Sequence, residues 1–271
     1  MSDGPGGPTP PPPPPPPPPT MGGPGGGIPP KTLGEILSAA FNVYKANAAG
    51  LITIVALVVV PLTLVSTLLT QVARDPDTEG GVMTALLVAV ITVAISLIIW
   101  SLLEAAIVRA AAQATLGDPI DVETSYRWGF RRIGSVILVS ILVGLAVVGG
   151  LILLVIPGLI FAVMLSVSIP ALIVEDRRGS DALGRSWNLV RGNFWHVVGV
   201  FFVAGLIAGA ISGIIGALGG DAWFLRWIFT SIGTIVTAPF TALVAVLLYV
   251  DLRARGEALT ATTLRGEVSR P

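Results

Sequence analysis

The sequence predicts an all-α polytopic membrane protein: six transmembrane helices, three interfacial amphipathic helices, and a threefold internal repeat of helix plus hairpin. Three observations predict it. Of the 271 residues, 53% are hydrophobic and only 12% charged, against roughly a quarter charged in a soluble domain, and mean hydropathy is +0.85. The apolar residues fall into six runs close to the roughly 20 needed to cross a bilayer. The basic residues are sorted to one side of those runs. Composition also excludes several functions. Sixteen basic and 16 acidic residues cancel, so no global field draws nucleic acid. The absence of cysteine and the single histidine, His196, exclude disulfides, thiolate zinc sites, cysteine nucleophiles and multi-His metal centres. No cofactor is expected.

Residues 1–30 read as a disordered proline/glycine-rich cytoplasmic tail. Ten consecutive prolines, Pro10 to Pro19, form a polyproline II rod about 31 Å long between flexible glycine clusters. Such a rod can remain a solvated spacer or dock into the aromatic groove of a protein partner. The membrane domain occupies 31–255, with spans at about 51–71, 82–103, 133–155, 159–174, 196–218 and 227–250. The turn between spans three and four falls at Ile156-Pro157-Gly158 or at Gly149-Gly150. Pro61, Pro170 and Pro239 interrupt spans one, four and six and predict kinks or unwound turns there. Residues 256–271 are a short cytoplasmic tail.

Orientation follows from the placement of Lys and Arg. Fourteen of the 16 lie on the side that carries both termini, and only Arg74 and Arg226 lie on the other. Both termini are therefore expected in the cytoplasm of a multi-pass cell-membrane protein. The loops around Asp75–Gly80 and Gly219–Arg226 face outward.

Each pair of spans is preceded by an amphipathic stretch. Before span one, Leu33, Ile36, Leu37, Ala40, Phe41 and Tyr44 share a face; before span three, Val122, Tyr126, Phe130 and Ile133; before span five, Leu183, Trp187, Val190 and Phe194. Helices of this kind lie in the membrane interface. The three stretches align as Phe41-x-x-x-Lys45-x-Asn47, Trp128-x-x-x-Arg132-x-Gly134 and Trp187-x-x-x-Arg191-x-Asn193. Each hairpin then leaves the membrane through a similar triplet: Ile107-Val108-Arg109, Ile173-Val174-Glu175 and Tyr249-Val250-Asp251. All three copies run the same way, unlike the inverted repeats of many transporters.

Several stretches resemble a known family. They are Leu33-Gly34-Glu35-Ile36-Leu37 with Phe41-x-x-Tyr44-Lys45, then Ile156-Pro157-Gly158-Leu159 and Pro170-Ala171-Leu172-Ile173-Val174-Glu175. After them comes Ala182-Leu183-x-Arg185-Ser186-Trp187-x-Leu189-Val190-Arg191-Gly192-Asn193-Phe194-Trp195. Together they resemble the membrane domain attached to some bacterial glycerophosphoryl diester phosphodiesterases, which also occurs as a stand-alone actinobacterial membrane protein. The resemblance spans about 31–255 and implies a helical membrane domain. It does not imply hydrolysis, which in those enzymes belongs to a separate barrel with paired histidines, acidic residues and a divalent metal. One histidine cannot supply that site, so no catalytic residue is assigned and the chain is not expected to be an enzyme.

Three sets of residues remain as candidates. Arg127, Arg131, Arg132, Arg177, Arg178, Arg185 and Arg191 form a basic set able to hold anionic lipid headgroups, or one that only sets topology. Glu104, Glu175 and Asp251 are acids at the membrane ends of spans, Glu104 being the deepest; each is a functional candidate or a carboxylate answered by a nearby arginine. Gly205, Gly209 and Gly213 repeat at a spacing that permits close helix packing, within the bundle or between copies. The function expected is a non-catalytic module that organises membrane lipids or a protein partner. The alternative is a small-molecule or lipid translocator, for which Thr63, Ser66, Ser101, Thr234 and Thr237 would converge on one cavity.

Overall fold

The computed structural model describes residues 27–73, 81–220, 222–257 and 259–268. Among them, nine helices follow in order: α1 Leu33–Ala73, α2 Gly81–Thr115, α3 Val122–Leu153, α4 Val155–Met164, α5 Ser168–Glu175, α6 Ser180–Arg191, α7 Phe194–Ala217, α8 Trp223–Gly256 and α9 Ala261–Val268. Six stretches are long and apolar enough to cross a membrane, α4 and α5 together forming the fourth. The chain is therefore an all-α, multi-pass membrane protein. Residues 1–26 and the Asp75–Gly80 loop lie outside the described residues.

The lead-in stretches differ from three separate interfacial helices. The first is continuous with its span, and α1 bends at Asn47, whose φ of −123° and ψ of 18° are not helical. Its side-chain amide donates to the Val43 carbonyl at 3.0 Å. The second runs straight into α3. Only the third is a helix of its own, α6, parted from α7 at Gly192 and Asn193. Asn193 has φ −131° and ψ 25°, close to the conformation of Asn47. The equivalent residue of the second copy is Gly134, which leaves the helical ladder intact. Asparagine competes with the backbone for hydrogen bonds and favours such breaks. The repeated amide position is thus where the lead-in meets the span in copies one and three.

The third and fourth spans also part elsewhere than expected. The reversal falls at Leu154, which is extended with φ −164° and ψ 145°. Gly149-Gly150 lies in the last turns of α3, which ends at Leu153, while Pro157 sits in the first turn of α4, where its missing N–H costs nothing. Span four then breaks between α4 and α5, just before Pro170. Ser186 of α6 closes that break: its hydroxyl donates to the Met164 carbonyl at 2.8 Å and accepts from the Val167 N–H at 3.3 Å. Broken spans persist where neighbours satisfy the freed backbone groups in this way. At Pro61 and Pro239 no such break occurs; both lie inside continuous helices, and the non-helical residue within α1 is Asn47.

Helices α2 and α8 form the centre, and α3 and α7 are mostly outward. Alanines make the α2 surface narrow: Ala105, Ala106, Ala110, Ala111 and Ala114 are buried. The packing glycines are not those expected. A methyl added at Gly205, Gly209 or Gly213 would meet nothing within 4 Å, and all three are exposed. Close approach of α7 to α8 occurs instead at Gly233, where a Cβ would lie 3.3 Å from Ser212 Cα. Spacing alone could not say which face of α7 met a neighbour.

Hydroxyl groups knit the bundle locally. Thr63 contacts Ser231 at 3.1 Å and accepts from Trp227 at 3.0 Å; Ser212 and Thr237 meet at 3.0 Å. Thr234 bonds back to the Thr230 carbonyl of its own helix. Of the five polar groups tied to a translocator, these three are used in such contacts, Ser101 is buried, and the Ser66 side chain is outside those described.

The described residues nearest each terminus are folded onto the bundle. Gly27 bridges Thr260, and the Ile28 N–H donates to the Leu259 carbonyl at 2.8 Å, so the expected tail is held at these two residues. Thr32 and Glu35 then cap α1 reciprocally. The C-terminal segment forms α9, with Leu264 and Val268 buried.

Candidate functional site

Charged side chains collect at one end of the bundle, where the described termini and the three exit triplets meet. The third residue of every triplet is buried: Arg109 is 6% and Asp251 2% exposed, and the Glu175 side chain is 7% exposed. Each reaches the lead-in of the next copy. Arg109 lies over the Trp128 ring at 4.8 Å. Glu175 accepts from Arg185 Nε at 2.7 Å. Asp251 accepts from the Lys31 N–H at 2.5 Å, just ahead of α1, so the third copy closes on the first. The repeat read from sequence is thereby a ring of contacts.

Glu175 and Asp251 are hubs. Glu175 also binds Arg177 at 2.6 Å, takes the Tyr249 hydroxyl at 2.5 Å, and lies 3.6 Å from Arg253. Asp251, its side chain fully enclosed, holds Arg255 at 2.8 Å and His196 at 3.1 Å. His196 is thus a hydrogen-bond partner of Asp251 as well as a residue of the span end. Arg253 reaches Glu267 of α9 at 2.5 Å and Glu257 at 3.2 Å, which ties the C-terminal helix into the layer. Burial disfavours the charge on Arg185, yet Glu175 and Glu257 together hold its pKa above the ordinary guanidinium value.

The seven candidate arginines divide. Arg132 pairs with Asp176, Arg177 with Glu175, and Arg185 with Glu175 and Glu257. Arg127 pairs with Glu123 at 2.5 Å on an open surface. Arg131, Arg178 and Arg191 are exposed and have no ion-pair partner among the described residues. Asp176 terminates α5 in the left-handed region, φ 57°, a conformation that aspartate tolerates better than most residues.

Glu104 does not pair with Arg109, although sequence spacing suggested an arginine partner. Five residues on a helix place the two on different faces. Arg109 turns to Trp128, and its Nε has no hydrogen-bond partner. Arg131 and Arg132 lie near enough to act on it electrostatically, and Arg132 also lies over Trp128, at 5.3 Å. Sequence reasoning did not select Arg109. The signal that could have found it was present: it occupies the triplet position taken by an acid in the other two copies. Among the described residues, no cluster of three or more His, Cys, Asp or Glu side chains could hold a metal ion.

Comparison with known proteins gives no further assignment: no family model, curated protein or solved structure matches the chain.

Proposed function

We propose that the chain is a non-catalytic membrane module that holds the phosphates of anionic lipids at its charged end, and that this end faces the cytoplasm. Arg109 carries the reading. It is a buried guanidinium with an aromatic face and no carboxylate, in a group with Arg131, Arg132 and Arg178 into which only Asp176 is paired among the described residues. A buried cation is costly without a counter-charge, and a headgroup phosphate supplies both the charge and several acceptors. The sorting of 14 of 16 basic residues to one side of the spans in the sequence supports the orientation. The resemblance to the phosphodiesterase membrane domain supports a module without a catalytic site of its own. A lipid or small-molecule translocator is the second reading, favoured by the break in span four and by a cleft beside Glu104.

The lipid reading is tested by co-purification from vesicles of phosphatidylglycerol and phosphatidylcholine mixed equally. The wild type is expected to enrich phosphatidylglycerol. With Arg131→Gln and Arg178→Gln combined, the preference should fall roughly thirty-fold, at about 1 kcal/mol for each exposed cation. Equal recovery of both lipids by the wild type would overturn it. Orientation has its own measurement, a reporter fused at Gly220; a cytoplasmic signal there is the contrary result.

A further inference from the structure

A cleft of about 420 Å³ opens between α2, the α4–α5 break, α7 and α8. Its walls are Trp100, Pro170, Phe201 and a row of small α8 residues that includes Ala242 and Ala245. The polar groups are the Ser166 and Thr241 hydroxyls and one carboxylate, Glu104, the charged residue among the described residues that line it. Glu104 is exposed although it lies within a span, and it lines this cleft. No lysine, arginine or histidine pairs with it among the described residues, whereas Glu175, Asp251, Glu257 and Glu267 are all paired. Ser140 of α3 is the polar side chain beside it.

We propose that this cleft is a binding site for a lipophilic organic cation, with the positive group on Glu104 and the apolar body against Trp100, Phe201 and the α8 alanines. Three features select that class. An unanswered carboxylate in an apolar wall attracts a cation far more strongly than it would in water. Aromatic faces favour cationic ligands. The volume and mostly apolar lining are those of a small-molecule pocket with a few orienting polar groups. The alanines matter because they leave room: a larger side chain at 242 or 245 would fill the cleft. The site is separate from the arginine group and does not depend on the lipid reading, and occupancy requires no transport.

The experiment is equilibrium dialysis of labelled tetraphenylphosphonium against the full chain in a neutral detergent, with triphenylphosphine oxide as the uncharged competitor. Saturable binding at one site per chain is expected, with little competition from the oxide. Glu104→Gln should weaken binding at least tenfold. Ala245→Leu, which keeps the carboxylate but fills the cleft, should abolish saturable binding. Both variants are compared with the wild type by size exclusion, and Trp100→Ala provides a third reading of the same wall. Equal affinity of wild type and Glu104→Gln, or equal binding of the uncharged analogue, would overturn the proposal, as would undiminished binding by Ala245→Leu.

Discussion

Glu175→Ala is expected to lower the thermal midpoint of the detergent-solubilised chain by on the order of 10 °C. The carboxylate touches Arg177, Arg185 and the Tyr249 hydroxyl and lies close to Arg253. Arg253 keeps Glu257 and Glu267, so the loss falls chiefly on the half-buried Arg185 and on the buried Tyr249 hydroxyl, which share Glu175 as acceptor. Removing one partner of a buried pair costs about 3–5 kcal/mol. In a chain of this size each kcal/mol moves the midpoint by roughly 2–4 °C. The matched control is Glu123→Ala, whose partner Arg127 stands on an open surface. Exposed pairs contribute at most about 1 kcal/mol, so that variant should stay within a few degrees of wild type. Similar midpoints for the two variants would show that the layer does not hold the hairpins together. Glu175→Gln should fall between them, because it keeps the acceptor oxygen but loses the charge.

Why Glu175 is a hub and Glu104 is not could not be read from the chain alone. Both are acids near the end of a span, and both have arginines nearby in sequence. Glu175 is met by Arg185 and Arg253, which arrive from α6 and α8, and that convergence is a tertiary fact. Glu104 has Arg109 five residues away, but on another face of the helix. The same reason divides the seven arginines. Their side of the membrane was legible because charge sorting is a property of composition on either side of each span. Their partners were not, since pairing depends on which helices neighbour which.

Other features were legible to different depths. The asparagines at 47 and 193 were visible as a repeated amide, and the structure turns them into a bend and a break with nearly the same backbone angles. The stripe of Gly205, Gly209 and Gly213 predicted close approach within the bundle or between copies, and among the described residues no helix packs against it. The helix α9 left its trace in the i, i+4 spacing of Leu264 and Val268, which sequence reading passed over within a short polar tail. Leu154 itself carries no turn signal, but it falls between the two turn candidates Gly149-Gly150 and Ile156-Pro157-Gly158. It reverses the chain inside an uncharged run, and the closest contact across the reversal is between Gly150 and Gly158.

That pair sets the sharpest contrast between neighbouring residues. Gly150→Ala is expected to destabilise the α3–α4 hairpin by about 1–3 kcal/mol or more, while Gly149→Ala should be neutral or slightly stabilising. A Cβ on Gly150 would lie 2.8 Å from both Cα and N of Gly158 and 2.9 Å from the Phe161 ring. Backbone atoms have no rotamer to escape into, so the two helices must separate. At Gly149 the added methyl meets nothing within 4 Å, and alanine brings a helix-propensity gain of up to about 1 kcal/mol. Gly158→Ala should resemble Gly150→Ala, since its Cβ would come within 2.6 Å of the Leu151 backbone N. The double variant should cost less than the sum, because one separation of the helices relieves both clashes. Thermal midpoints of the four variants in one detergent decide the matter. If Gly149→Ala and Gly150→Ala shift the midpoint equally, the reversal at Leu154 does not depend on the contact between Gly150 and Gly158. If only the second falls, the hairpin depends on the absence of methyl groups at Gly150 and Gly158, where the two helices meet.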